Sequence, residues 1–351
     1  MIYRMNDRTT NQPRVDVVIL NCNSGRSLQE TVSSLLENTG YSNYRIIVVD
    51  NGSVDNSTSF IEDYENILLI ENKRNLGCPG GLNQAIPHLH GKYTVFLNDD
   101  IVFRSPSWLV AMVSEMEKDE RIGATGFKLY KYNQPNFPEM CTTYLNRFTA
   151  CAGYAVKHDL RVVLDTHEVP YIGLGAILLR TDILRKTRFE DRYFLYYDDV
   201  EFCLKLWFMD YTVKLVPNAW AFHKHQTAAK RNLTELRMRY LIERNSLLTF
   251  FVYGDKREML AYLPTVTAYR IILVVSRLLK HNKASAFGVI LAVCGLAFHC
   301  NWIGTQRRRL QSLRNTNLTY TDVSEKSLYD PITEESNAFK IMKRIMRRPK
   351  L

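Results

Sequence analysis

The most restrictive feature of the chain is a rhythm in its first hundred residues. Short apolar, β-branched runs at 15–21, 45–50, 67–70 and 93–98 alternate with segments of helical composition. Runs that are apolar on both faces read as strands covered on both sides, and the order βαβαβαβ gives a largely parallel, doubly wound sheet. The intervening segments agree. Ser27-Leu28-Gln29-Glu30 is a capping-box pattern opening a helix to about Asn38, a short helix should reach Tyr64, and another should follow Pro79 as far as Leu89.

Three of these strands close on side chains that can do chemistry: Asn21, Asp50, and the triplet Asn98-Asp99-Asp100. In open α/β sheets ligands bind at that end of the strands. Two adjacent carboxylates there repel unless a proton or cation lies between them, which suits a hard divalent ion; a turn capping the next helix is the plainer reading of the same triplet. Asp55 reads equally as a ligand or a cap. The first loop, Asn21-Cys22-Asn23-Ser24-Gly25, has neither G-x-G-x-x-G nor a phosphate loop ending in Lys-Ser/Thr, which counts against a dehydrogenase and a P-loop NTPase. Lys73, Arg74 and the stretch from Gly77 to Gly80 and Gly81 bring charge and backbone amides toward phosphates, or simply begin a helix at Pro79.

Further on, 169–180 reads as a strand whose Gly173 and Gly175 mark a close approach to the backbone. Asp198-Asp199-Val200-Glu201 opens a helix with Val200, Leu204, Trp207 and Phe208 toward the core; acids in a first turn ordinarily complement the helix dipole. A strand from Thr212 leads to His223, and a lone histidine after a strand is as readily packed as ligating.

Taken in order, Val17-Val18-Ile19-Leu20-Asn21, Val48-Val49-Asp50-Asn51-Gly52-Ser53-Val54-Asp55, Asn75-Leu76-Gly77 with Gly80-Gly81, Leu97-Asn98-Asp99-Asp100, Gly173-Leu174-Gly175, Asp198-Asp199-Val200-Glu201 and His223 resemble the inverting family 2 glycosyltransferases of the GT-A fold, in particular their rhamnosyltransferase-like branch, over about 15–251. The resemblance implies an α/β GT-A domain with C-terminal helices. It implies that Asp50 meets a uracil or thymine ring, with Asn21, Asp55 and Asn75 in the same pocket and Gly80, Gly81, Asp99 and Arg244 near the donor. Asp100 and His223 would hold a divalent metal, Mn²⁺ or Mg²⁺. Asp199 would be the catalytic base, with Asp198, Gly173 and Gly175 around the sugar. The sequence departs from the family pattern at Asn98, the first position of its D-x-D motif, at Cys78-Pro79, and at Lys224-His225-Gln226, where glycines are expected. A partner protein that binds nucleotide sugar without transfer is the alternative.

Composition bounds the remainder. The organisation expected is a leader over 1–14, a catalytic unit over 15–253, apolar membrane-associated helices over 254–305 and a basic tail over 306–351. Seven cysteines without C-x-x-C spacing suit reduced thiols in a cytosolic protein. Residues 284–304 contain no Asp, Glu, Lys or Arg and approach the length that crosses a bilayer, about 20 residues. Crossing would oppose the positive-inside tendency, so helices lying on the inner membrane face, with nearby Lys and Arg on anionic lipid, are expected. The net charge of +10 admits nucleic acid, but the densest basic run follows an apolar segment rather than interleaving with aromatics, so no nucleic-acid partner is expected. The expected partners are a nucleotide-diphospho-sugar donor, a glycan or lipid-linked saccharide acceptor, and the membrane surface.

Overall fold

The computed structural model describes residues 12–140, 142–155, 165–224 and 233–326. Most of the leader, His225, Gln226 and the end of the basic tail lie outside the described residues. The chain runs β1 (Val15–Asn21), α1 (Ser27–Glu37), β2 (Tyr44–Asp50), β3 (Ile67–Glu71), α2 (Gly77–Ala85), β4 (Tyr93–Asn98), β5 (Ile101–Val102), α3 (Trp108–Met116), β6 (Ile122–Lys131), β7 (Gln134–Met140), β8 (Thr142–Asn146), β9 (Cys151–Ala155), β10 (His167–Glu168), β11 (Ala176–Arg180), α4 (Thr181–Thr187), α5 (Asp198–Phe208) and β12 (Thr212–His223). Helices follow: α6 (Glu235–Tyr253), α7 (Lys256–Leu279), α8 (Lys283–Gly295), α9 (Cys300–Leu313) and α10 (Tyr320–Glu325).

The main sheet is ordered β10-β12-β6-β11-β4-β1-β2-β3. The half built from the N-terminal strands is parallel, with β1 between β2 and β4 and β3 beyond β2. Strand β11 then inserts antiparallel to both β4 and β6, and β12 returns parallel to β6. The result is a mixed α/β sheet of GT-A architecture. The order reverses between β1 and β4, which creates the crevice where such sheets bind ligands. Register sharpens this: Asn21 lies opposite Asp50, and Leu20 opposite Asn98, so the three polar strand ends share one level. Behind them Val17, Val18, Ile19, Ile47, Val48, Val49, Val95 and Phe96 are fully buried.

Three local expectations change. The capping box does not form, because α1 already begins at Ser27 with Arg26 as its cap position and no side-chain cap bond. Gly25, in the left-handed region at φ 58°, turns the chain early, its N–H held by Asp55 at 2.9 Å. Glu30 pairs instead with Lys224. The second helix starts at Gly77, two residues before Pro79. The run at 169–180 is strand only from Ala176, the glycines lying in the turn ahead of it.

The C-terminal helices divide by face. Helix α7 carries Arg270 in its middle, buried, donating to the Thr149 carbonyl at 2.9 Å and to Ser246 Oγ at 2.7 Å, with Glu243 at 3.4 Å. Its other face and that of α8 remain outside the core: Leu260, Ile271, Leu279 and Phe287 are exposed, as is Phe298 after α8. By length and composition α7, and the run Lys283–Leu313 that takes in α8 and α9, are long and apolar enough to cross a membrane. The expected boundary at 305/306 falls inside α9, whose Arg307 donates to the Phe251 and Gly254 carbonyls at 2.7 Å each and whose Arg309 reaches the Thr187 carbonyl at 3.0 Å. Those arginines therefore tie the helix to the sheet domain, because carbonyls at helix ends need donors.

Candidate functional site

The cleft at the strand ends is lined by Leu20, Cys22, Asn51, Asn75, Gly77, Cys78, Asn98, Asp99, Asp100, Phe194, Leu195, Leu233 and Arg237. Its first wall is a hydrogen-bonded polar cluster. Asp50 Oδ1 accepts from Asn21 Nδ2 at 2.8 Å and Ser53 Oγ at 2.5 Å, and Oδ2 accepts from Ser53 N at 3.2 Å. Asn21 is fully buried and also donates to Ser57 Oγ at 2.9 Å. It supports Asp50, and the cluster backs a wall whose lining residues are Cys22, Asn51 and Asn75. Asp55 accepts from Gly25 N and Ser57 Oγ; burial works against its charge, but these bonds outweigh it and hold its carboxyl below the usual range. It therefore clamps the first loop to the second.

Asn75 lines the cleft, its Oδ1 receiving Gly77 N at 2.8 Å. Asn51, which the sequence reading passed over, donates to the Gly77 carbonyl at 2.9 Å and accepts from Leu76 N at 3.1 Å, so it knits the second and third loops together. Gly80 and Gly81 sit elsewhere than expected. A Cβ on Gly81 would come within 2.6 Å of Leu20 and 3.0 Å of Asn51, and one on Gly80 within 3.0 Å of Leu76. Gly81 lets α2 lie close to β1 and Gly80 leaves room for Leu76; both are buried and neither lines the cleft.

The second wall is acidic. Asp100 is 1% exposed and His223 9% exposed, with His223 Nε2 3.2 Å from Asp100 Oδ1. Their meeting follows from the pairing of β5 with β12, which sets His223 opposite Ile101. Asp99 accepts from Cys22 N at 3.3 Å, and burial, then the neighbouring Asp100 charge, push its carboxyl up to about 7. Among the described residues no three His, Cys, Asp or Glu side chains form a ready metal cage. The donor set nevertheless fits Mn²⁺ or Mg²⁺. Two adjacent buried carboxylates and an imidazole whose Nε2 faces one of them supply O, O and N donors, and the frustrated Asp99 charge is what a cation relieves. Gly175 explains itself here: its Cβ would stand 2.4 Å from the Asn98 amide, so the group approaching its backbone is Asn98. Gly173 is buried, its carbonyl accepting from Ala176 N at 3.0 Å.

The third wall is the approach to α5. Phe194, Tyr196 and Tyr197 adopt φ of 61°, 68° and 65°. Left-handed aromatic residues are unusual and cost roughly 1–3 kcal/mol each, persisting only where the surroundings enforce them. Gly77, itself at φ 80°, meets this turn so closely that a Cβ would lie 2.4 Å from the Phe194 carbonyl. Helix α5 is buried at ten of its eleven residues, and the one that reaches out is Asp199. Asp198 is buried and its carboxyl is raised, by burial first; the Cys78 thiol shares a hydrogen bond with it and is pushed well above its ordinary range by burial and by the acids beside it. Cys78 thus links the cleft to the pair Asp198-Asp199.

Arg244 is not in the cleft. Its Nη2 donates to the Arg192 carbonyl at 2.7 Å and its Nε to Asn245 Oδ1 at 2.9 Å. Seven residues earlier on the same face of α6, Arg237 takes the cleft position, its guanidinium 5.1 Å from the Phe194 ring centre. The i, i+7 spacing was visible in the sequence, but nothing there says which turn of a helix overhangs a cleft.

Known proteins can be set beside this geometry. The family described as "Glycosyl transferase family 2" matches residues 16–188, the whole segment from β1 through α4. That match takes in 173 of the 351 residues, just under half of the chain. A protein of Haemophilus influenzae called an uncharacterized glycosyltransferase is 34% identical over 120 residues, covering 33% of this chain and 36% of that protein. The O-antigen biosynthesis protein RfbC of Myxococcus xanthus is 24% identical over 244 residues, 65% of this chain and 18% of its own. The chain therefore spans about a third or less of the length of these relatives. A mannosyltransferase from Pyrobaculum calidifontis, solved with GDP-Man and Mn²⁺, superposes with a TM-score of 0.51 at 17% identity, covering 92% of this chain and 88% of that one. That likeness is one of fold. It places the chain in the GT-A architecture without choosing its nucleotide.

Proposed function

We propose that the chain is a metal-dependent inverting glycosyltransferase, moving a sugar from a uridine or thymidine diphosphate donor to a hydroxyl of a growing glycan. One observation carries this reading: a single cleft is lined by Asn51, the residue after Asp50 and its hydrogen-bonded cluster, by Asp99 and by Asp100 with His223 beside it, and by Cys78, which leads to the start of α5 with Asp199. A nucleotide-binding partner without activity would need the first two only.

Asp50 Oδ2, taking one internal bond, keeps acceptor capacity for a base imide N–H. Asp100 and His223, with Asp99 in support, would hold the cation, which when bound neutralises charge developing on a leaving diphosphate. Arg237 adds positive charge at the mouth. Asp199 accepts the proton of the acceptor hydroxyl as its oxygen bonds to the anomeric carbon. The bond from that carbon to the diphosphate breaks on the opposite face, and the configuration inverts. Rhamnose as donor sugar is supported by the sequence resemblance, and a surface-polysaccharide product by the likeness to RfbC over 65% of this chain.

Calorimetric titration of the full chain with UDP, dTDP and GDP, in Mn²⁺ and then in excess chelator, tests the donor assignment. Metal-dependent heat from UDP or dTDP is expected. GDP binding alone would move the donor to another nucleotide class, and no binding by any would remove the reading.

We infer further that the protein sits on the cytoplasmic face of the membrane, its acceptor lipid-linked. The exposed apolar faces of α7 and α8 support this, with Lys256, Arg257, Lys280 and Lys283 exposed beside them. Sedimentation with vesicles containing phosphatidylserine should carry the protein down and release it only partly at high salt, since the apolar contact is not screened. Recovery in the supernatant at low salt would refute it.

A further inference from the structure

We propose that Asn245 positions the catalytic base, by holding the turn at 193–197 in a conformation its own residues disfavour. The proposal rests on Asp199 being the base, and it concerns what fixes Asp199 in place.

Packing sets the body of α5 and buries most of its first turn, where Asp199 alone is not buried. Tyr197, at the cap position, is left-handed and makes no side-chain cap bond. The direction in which Asp199 leaves the helix therefore depends on the backbone of the preceding turn. That backbone holds three left-handed aromatic residues and no glycine, so something outside it must impose the shape. The fully buried Asn245 on α6 does so. Its Nδ2 donates to the carbonyls of Tyr193 at 2.8 Å, Leu195 at 2.9 Å and Tyr196 at 2.7 Å. The carbonyl between them, that of Phe194, accepts from Cys78 N at 2.6 Å. Four successive carbonyls are thus satisfied from two sides, and one amide with two protons serves three of them through shared bonds. Arg244 Nε donates to Asn245 Oδ1 at 2.9 Å, which orients the amide with its NH₂ toward the turn. Aspartate has the same shape but no proton to give, and alanine has neither.

The test compares Asn245→Ala and Asn245→Asp with Leu248→Ala and Asp199→Asn in the full chain. Nucleoside diphosphate release is followed from UDP- and dTDP-hexoses with octyl glycosides as acceptors. Leu248 is fully buried on the same helix but touches no part of this turn's hydrogen bonding, so its truncation reports helix damage alone. We expect both Asn245 variants to lose at least about tenfold in kcat, because misplacement of a base by about 1 Å costs up to 100-fold, while donor KM moves by less than about threefold. Leu248→Ala should melt lower yet keep the parent kcat. A parent kcat in both Asn245 variants, or a fall in Leu248→Ala as large as theirs, overturns the proposal. Should Asn245→Ala fail to fold, adding Tyr196→Gly lowers the cost of the turn's positive φ without holding the turn in one conformation, because glycine accepts positive φ freely but is not confined to it. That double variant is then expected folded and slow, and a parent rate overturns the proposal. Asp199→Asn separates the two assignments: parent turnover there removes the base itself, whereas an inactive Asp199→Asn beside active Asn245 variants removes only the positioning role.

Discussion

Replacing Asp199 by Asn should lower sugar transfer by about 10²–10⁴-fold, the usual contribution of a positioned general base, while leaving donor affinity within about twofold. The split follows from where Asp199 stands. It is the one residue of α5 that is not buried, it lies in the first turn with its Oδ1 accepting from Val200 N at 2.8 Å, and it does not itself line the cleft that would hold the nucleotide. Asparagine is isosteric and can still accept that bond, so α5 should keep its place. What disappears is the site that takes a proton from the attacking hydroxyl. Single-turnover transfer and calorimetry on the same preparation make the comparison. Equal loss of donor binding and transfer would make Asp199 part of the donor pocket, and unchanged transfer would remove Asp199 as the base.

The fold was legible because its evidence is periodic and local. Apolar runs at 15–21, 45–50 and 93–98 can only be strands covered on both faces, and their polar last residues mark the end that binds. Asp50 and Asp100 stand out for the same reason, carboxylates following a buried strand. What the sequence hid was partnership. Asn21 and Asp50 are 29 residues apart, and only the register of β1 on β2 shows that the first supports the second. Gly80 and Gly81 carry the same composition as a phosphate loop, and the close approach of an added Cβ to Leu76 at Gly80 and to Leu20 at Gly81 reveals them as packing positions. Arg237 and Arg244 lie on one helix face, and the bonds of Arg244 to the 192–193 carbonyls decide which of them is spent on structure. The role of Asn245 was hidden more deeply, since the left-handed turn it holds is built from aromatic residues that no turn preference would nominate. In each case the missing information is a contact distant in sequence.

Asp100→Asn is expected to weaken donor binding in Mn²⁺ by about 10–100-fold or more, the range found even for groups that only support metal ligands, and to leave binding in excess chelator unchanged. The contrast matters more than the loss. Asp100 is 1% exposed, and its backbone carbonyl, which accepts from Lys224 N at 3.0 Å, is retained by the substitution. A general disturbance of the cleft would therefore lower binding in both conditions. Electrostatics supply a second signature. Asp99 and Asp100 are adjacent, buried carboxylates, and the raised proton affinity of Asp99 reflects burial and then that neighbour. Removing one charge lifts the repulsion, and the new amide can donate to His223 Nε2, which lies 3.2 Å from Asp100 Oδ1 in the parent. The metal-free variant should thus melt no lower than the metal-free parent, while Mn²⁺ with UDP or dTDP should raise the parent's melting temperature and scarcely move the variant's, because only a ligand bound to the native state stabilises it. A variant that still gains the parent's full increment would show that the cation rests on other groups, and Asp100 would return to being the turn residue that its sequence alone also allows.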